Sequence, residues 1–219
     1  KMDSLLFIHN ELFPELWKGW MVTLKLVALS IPFGLLTGIL IAIGRVYGNR
    51  LISSLCRLYV IFFKGCPLLL LLFVIYFGLP SLGIAFSPFV ASVLGFVLCN
   101  GAYTSEYIRG AIQSVKTGQM IAAQALGMTK WQAVFYIILP QAFRRALPGV
   151  GNEMIYLIKY SSLAYMLTCV ELTGAGKIVA ARSFRFMETF AVVGIIYLFM
   201  VSIATKILQW AEKKLSYPG

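Results

Sequence analysis

Several stretches of about twenty consecutive apolar residues dominate this 219-residue chain, and no other feature limits its fold as strongly. A helix rises 1.5 Å per residue, so about twenty apolar residues match a hydrocarbon layer of about 30 Å. Inside that layer every backbone N–H and C=O must be satisfied by the segment itself, which leaves helices as the spanning element. Composition agrees: 60% of residues are hydrophobic and 12% are charged, where a soluble domain carries about 25% charge. The expectation is an all-α membrane protein of about five transmembrane helices, with residues 1–219 forming a single transmembrane domain.

The spans are placed at about Trp17–Gly44, Ile52–Leu79, Phe89–Ile108, Leu147–Cys169 and Thr189–Trp210. Residues 3–16, with Phe7, Leu12 and Phe13 among polar neighbours, predict a short interfacial helix. Trp17 and Trp20 suit an aromatic belt, and Lys25 suits a snorkelling lysine. Lys64-Gly65-Cys66-Pro67 interrupts the second span, because proline removes a ladder hydrogen bond. Lys1 ahead of Met2 reads as a processing remnant, and Asp3, Glu11 and Glu15 argue against a cleavable signal peptide.

The net charge of +11 would suggest nucleic acid in a soluble protein. In a spanning chain it reads as topology: basic residues collect in cytoplasmic loops. Arg45, Arg50, Arg57, Arg109, Lys116, Lys130, Arg144, Arg145, Lys206, Lys213 and Lys214 fall on one side, against Lys1, Lys18, Lys177, Arg182 and Arg185 on the other. The N-terminus is therefore expected outside and the C-terminus in the cytoplasm, with no nucleic-acid partner. Cys56, Cys66, Cys99 and Cys169 are too scattered for a metal or redox motif. No metal site and no catalytic residue set is expected. Gly174-Ala175-Gly176-Lys177 lacks the spacing of a P-loop, having Glu171 and Ile178 at the flanking positions, and is expected to be a loop.

Between the third and fourth spans lies a more polar segment, about residues 110–146. Apolar residues recur there at helical spacing, Ala122, Ala125, Leu126 and Met128, then Val134, Ile137 and Ile138, with Gly127 between. The pattern predicts two short helices joined by a turn. Gly118-Gln119-Met120-Ile121-Ala122-Ala123-Gln124-Ala125-Leu126-Gly127-Met128, followed by Pro140-Gln141-Ala142, resembles the coupling loop of prokaryotic ABC importer permeases of the polar amino acid uptake family. Ile121 stands where that family usually has glutamate. The resemblance extends to Lys64-Gly65-Cys66-Pro67-Leu68-Leu69, Ala102-Tyr103 with Glu106 and Arg109-Gly110, Gly151-Asn152-Glu153, and Lys159-Tyr160-Ser161-Ser162-Leu163.

The resemblance implies a type I ABC importer permease fold and contact with a dimer of ATPase subunits through about residues 118–140. Ala122, Ala123, Ala125, Leu126, Gly127 and Met128 would make that contact. It also implies a second permease, identical or homologous, and an extracytoplasmic substrate-binding protein. ATP and magnesium would be bound by the ATPase, with no cofactor in this chain. Ionisable and polar residues in the spans mark a pathway: Lys64, Cys66, Asn100, Glu153, Lys159, Ser161 and Ser162 are the candidates. Glu153 and Lys159 could complement the ammonium and carboxylate of an amino acid, or pair with neighbouring helices. Ile61, Leu71 and Tyr160 replace polar residues that relatives carry, which argues against a strongly cationic substrate. A gradient-driven carrier would be expected to show internal repeats, and none is visible.

Overall fold

A computed structural model describes residues 6–215. After one π-helical turn at Ile8–Leu12, α1 runs Phe13–Tyr47, α2 Arg50–Gly65 and α3 Leu68–Phe73. The chain continues through a π turn and a 3-10 turn to Leu82, and α4 then spans Pro88–Ser114. Two short helices, α5 (Thr117–Ala125) and α6 (Lys130–Ala133), precede α7 (Leu139–Tyr160). The last helices are α8 (Leu172–Ser183) and α9 (Phe186–Leu215).

Among the described residues three helices are long and apolar enough to cross a membrane singly, α1 with its π turn, α4 and α9. Two bent pairs, α2 with the segment from α3 to Leu82 and Lys130–Leu167 with α8, bring the number to as many as five. The faces left outward are apolar: on α9, Ile195, Leu198, Phe199, Ile203, Ile207 and Trp210 are all exposed. In water that stripe would drive aggregation, whereas in lipid it is the ordinary outer face of a spanning helix.

The central pair is α1 against α4. Lipid is as apolar as leucine, so helices in it associate through close packing, which small residues permit. Gly19, Thr23, Ser30, Gly34, Gly38 and Ala42 put such a stripe on the buried side of α1. A methyl group at Gly34 would sit 2.5 Å from Asn100 Oδ1, and one at Gly38 would sit 2.6 Å from Thr104 Cγ2. The fit is reciprocal, since a methyl at Gly101 of α4 would lie 2.8 Å from Thr37.

The sequence places the spans well and misjudges four connections. Described residues of the expected interfacial helix at 3–16 instead belong to the first turns leading into α1, because no breaker separates them, while residues 3–5 lie outside the described range. The second span does not run straight past its interruption: at Cys66-Pro67 the chain turns by 103°. The second of the two short loop helices is not followed by a loop, since the chain passes from it through a π-helical segment, Val134–Ile138, straight into α7. Gly174–Lys177 is not a loop but the middle of α8, where glycines mark close contact rather than a turn. A methyl at Gly176 would meet Val193 at 2.7 Å, and one at Gly174 would run into the Tyr165 ring.

Replacing Gly38 by Leu drives a branched side chain into Thr104. Thermal unfolding in detergent is expected to show a loss of about 1–3 kcal/mol, the usual cost of overpacking. Exposed Leu40→Ala is expected to leave the transition almost unmoved.

Candidate translocation site and coupling surface

Two regions carry the polar chemistry of the bundle, one at mid-span and one at the end where α1 finishes. At that end Glu106 ties α4 to α1. Its carboxylate accepts from Arg45 and, at 2.6 and 3.1 Å, from Arg109. The Arg145 guanidinium donates to the Ser114 carbonyl at 2.5 Å and to its hydroxyl at 3.0 Å, so α7 is fastened to the last turn of α4. The Trp131 ring meets Tyr47 edge-on at 6.3 Å, and the Lys130 ammonium lies 5.7 Å over Tyr47.

From this base projects the α5–α6 hairpin. Gly127 has φ +85°, the left-handed region that a residue with a Cβ enters at a cost of about 1–2 kcal/mol. Its N–H bonds to the Gln124 carbonyl at 2.9 Å, and the Met128 N–H reaches back to Ala123 at 3.1 Å. Those bonds satisfy carbonyls that the end of α5 would otherwise leave open. Thr129 then caps α6, its hydroxyl accepting from Gln132 N–H at 3.3 Å while the Gln132 side chain accepts from Thr129 N–H at 2.8 Å. The turn is thus fixed from both sides.

The hairpin offers outward Ile121, Ala122, Ala125 and Gly127, with Leu126 at its tip 86% exposed. Met128 is half-buried. Ala123 is 4% exposed and faces the chain's own bundle, so of the six residues named for contact it is the one that packs inward. Leu126 stands clear of the apolar cluster beneath it, in which Ile108, Ile112, Val134 and Ile138 pack.

At mid-span the seven pathway candidates separate into two groups. Glu153 is buried and lines a small cavity with Leu68, Phe96, Cys99, Asn100, Leu157 and Tyr160. The cavity has room for about one water molecule, not for a larger solute. Asn100 is buried beside it, with its Nδ2 lacking a hydrogen-bond partner while Oδ1 accepts weakly from Thr104 at 3.4 Å. Such groups cost free energy until something meets them. Lys64 and Cys66 stand at the α2–α3 corner beside this cavity, the Lys64 ammonium 5.6 Å over the Tyr103 ring.

Lys159 belongs elsewhere. Six residues of helix turn through about 600°, or 240° net, so Glu153 and Lys159 point to different sides of α7. The Lys159 ammonium lies 4.1 Å over the Tyr156 ring and lines an open cleft with Ser162, Thr173, Phe190 and Tyr197. Ser161 and Ser162 spend their hydroxyls on the carbonyls of Ile158 and Lys159, at 2.7 and 2.8 Å. Those bonds finish α7, and Ser162 also lies on the lining of the Lys159 cleft.

Sequence reasoning missed one group. Glu171 has no exposed surface. Its carboxylate accepts from the N–H groups of Thr173 and Gly174, each at 2.9 Å, and from the Tyr197 hydroxyl at 2.8 Å. It caps α8 and joins that helix to α9. Glutamate is not a favoured capping residue, so only the contrast between one acid and its apolar surroundings could have flagged it.

A bundle of spanning helices with Glu153 and Asn100 buried at mid-span, and a hairpin with an apolar tip held at one end, defines a multi-pass membrane protein. Residues 30–217 match the family described as binding-protein-dependent transport system inner membrane component, and the chain belongs to that family. It is 40% identical to the probable amino-acid ABC transporter permease protein YckA of Bacillus subtilis, over 94% of this chain and 92% of that one. It is 38% identical to the nopaline transport system permease protein NocM of Agrobacterium fabrum, over 96% and 91%. Among solved structures, a chain from the crystal structure of an amino acid ABC transporter with histidines superposes with a TM-score of 0.85 at 34% identity. That match covers 92% of this chain and 94% of the other. The protein is an inner-membrane ABC permease of the importer type.

Gly127→Ala is expected to cost about 1–2 kcal/mol through the left-handed backbone alone, since a methyl group there meets no atom within 4 Å. Protease nicking within 117–133 is expected to rise in Gly127→Ala and to stay at the parental rate in Gly118→Ala, where a methyl likewise meets no atom within 4 Å but φ is not left-handed.

Proposed function

We propose that this chain, working as one transmembrane unit over residues 1–219, is the permease subunit of an ATP-driven importer for amino acids, most of all polar uncharged or zwitterionic ones. The amino-acid assignment rests on the names of its relatives. Ile61, Leu71 and Tyr160 make the route less polar, which disfavours strongly cationic cargo. A second permease, identical or homologous, completes the path. A substrate-binding protein delivers the solute at the outer face, and the ATPase dimer binds ATP and magnesium and performs the hydrolysis.

The observation that carries this reading is the α5–α6 hairpin. A leucine 86% exposed at the tip of a doubly capped turn is a ready knob for a groove in a soluble partner. The hairpin continues through a π-helical segment, Val134–Ile138, into α7, which bears Glu153 and Lys159. Force applied at Leu126 by closure of the ATPase would therefore reach the pathway along one continuous helical stretch. Arg45, Arg109, Lys116, Lys130, Arg144 and Arg145 gather at this end or on the hairpin's flanks, which supports a cytoplasmic hairpin and C-terminus with the N-terminus outside.

Leu126→Asp tests the reading. The side chain makes little contact within the chain, so insertion and thermal stability are expected to match the parent. ATP-driven uptake by the reconstituted complex is expected to fall more than tenfold. Uptake at the parental rate would refute the hairpin's coupling role.

A further inference from the structure

The fourth crossing is broken, and although both halves touch α9, the half beyond the break makes most of the crossing's contact with α1. Lys130–Leu167 and α8 meet at a bend of 53°. Between them only Thr168–Val170 and the capping Glu171 lie outside helix, and Thr168 has φ 63°, a left-handed conformation that threonine rarely adopts.

Beyond the break, α8 is bonded to both α1 and α9. The Tyr197 hydroxyl donates to Glu171, as described, and lies 3.1 Å from the Thr173 hydroxyl. The Leu172 N–H donates to Thr23 Oγ1 of α1 at 3.1 Å. A methyl on Gly19 of α1 would lie 2.7 Å from the Ala175 side chain, so those helices are in direct contact. Both oxygens of Glu171 are occupied, and the carboxylate is shut away from water. Across the break the Tyr165 ring lies against Gly174, Lys177 lies 5.0 Å over that ring, and the Ser161 hydroxyl interacts with that of Tyr197.

The open cleft, of about 380 Å³, straddles this junction. Lys159 and Ser162 come from before the break, and Thr173, Phe190 and Tyr197 from beyond it. Lys159 is the cation on its lining, so a carboxylate is the group the cleft is built to receive.

We propose that Glu171, Tyr197 and Thr173 form a clasp that makes α8 one body with α1 and α9. Thr168–Val170 is the hinge on which this body swings against α7, and the swing opens and closes the Lys159 cleft on the carboxylate of the transported solute. Glu171 and Tyr197 are positioning residues, and this role rests on the importer reading above.

The test uses the intact complex in vesicles, in a background where Cys56, Cys66, Cys99 and Cys169 are replaced by serine. One pair, Thr173→Cys with Tyr197→Cys, spans the clasp. A second, Tyr165→Cys with Lys177→Cys, spans the hinge. Each is bridged with a short bifunctional methanethiosulfonate. Bridging the clasp is expected to restore uptake that the unbridged pair has lost, because a covalent tie replaces the hydrogen bonds. Bridging the hinge is expected to cut uptake at least tenfold, reversibly with reductant. The bridging rate of the hinge pair is expected to change at least fivefold on adding ATP, and that of the clasp pair to stay constant.

Tyr197→Phe is expected to lower the maximal uptake rate several-fold at an unchanged yield of folded complex, where a purely structural role would lower yield alone. Uptake lost on bridging the clasp and kept on bridging the hinge would overturn the proposal, as would hinge bridging indifferent to ATP. A cysteine-free parent that imports no amino acid, with hinge bridging still responsive to ATP, would refute the amino-acid reading and leave the hinge standing.

Discussion

The approach of α1 to α4 is the contact on which the rest of the bundle depends. Within a bilayer no water is released when two apolar helices meet, so association rests on fit. The glycine and small-residue stripe from Gly19 to Ala42 lets α4 come near enough for Gly34 to meet Asn100 and Gly38 to meet Thr104. The same stripe, further along, receives α8 against Gly19. With those helices set, the Arg45–Glu106–Arg109 cluster fixes one end of the pair. The hairpin is anchored there, and α7 rises from it past the buried cavity.

This arrangement divides labour by position. Apolar side chains left exposed along α9 and α2 are suited to lipid or to a second permease, while the irregular stretches of backbone lie inside the bundle. The Cys66-Pro67 corner, the Ser161–Leu167 turn and the Thr168–Val170 break each lie beside a cavity or a cleft. Irregular backbone is tolerable at membrane depth only where protein or water satisfies it. Breaks and sites therefore fall together for one physical reason.

Much of this was legible in the residues. Apolar run length gave the spans, Pro67 an interruption in the second though not its sharp corner, and Gly127 between two periodic stretches the hairpin turn. What stayed hidden depends on tertiary partners. Glycines at 174 and 176 read locally as a turn, yet they sit inside α8 because Tyr165 and Val193 need their space. Glu153 and Lys159 read as groups that could hold the two charges of one amino acid, but the helix turns them to different sides. Glu171 carried no local signal, since glutamate is not a favoured cap and its tie to α9 is made with Tyr197, 26 residues away. Ala123 matched the contact pattern and faces inward, because one side of any surface helix must pack.

The central claim is that a separate ATPase drives this permease, and the most direct measurement is the composition of the complex isolated from its native membrane. The chain should be purified in a gentle detergent, with every co-purifying protein identified and quantified by mass spectrometry. Recovery of a P-loop ATPase in about equal amount is the predicted result, and any second permease would settle the pairing. A chain that purifies alone and moves amino acids across vesicles without ATP would contradict it and make this a gradient-driven carrier.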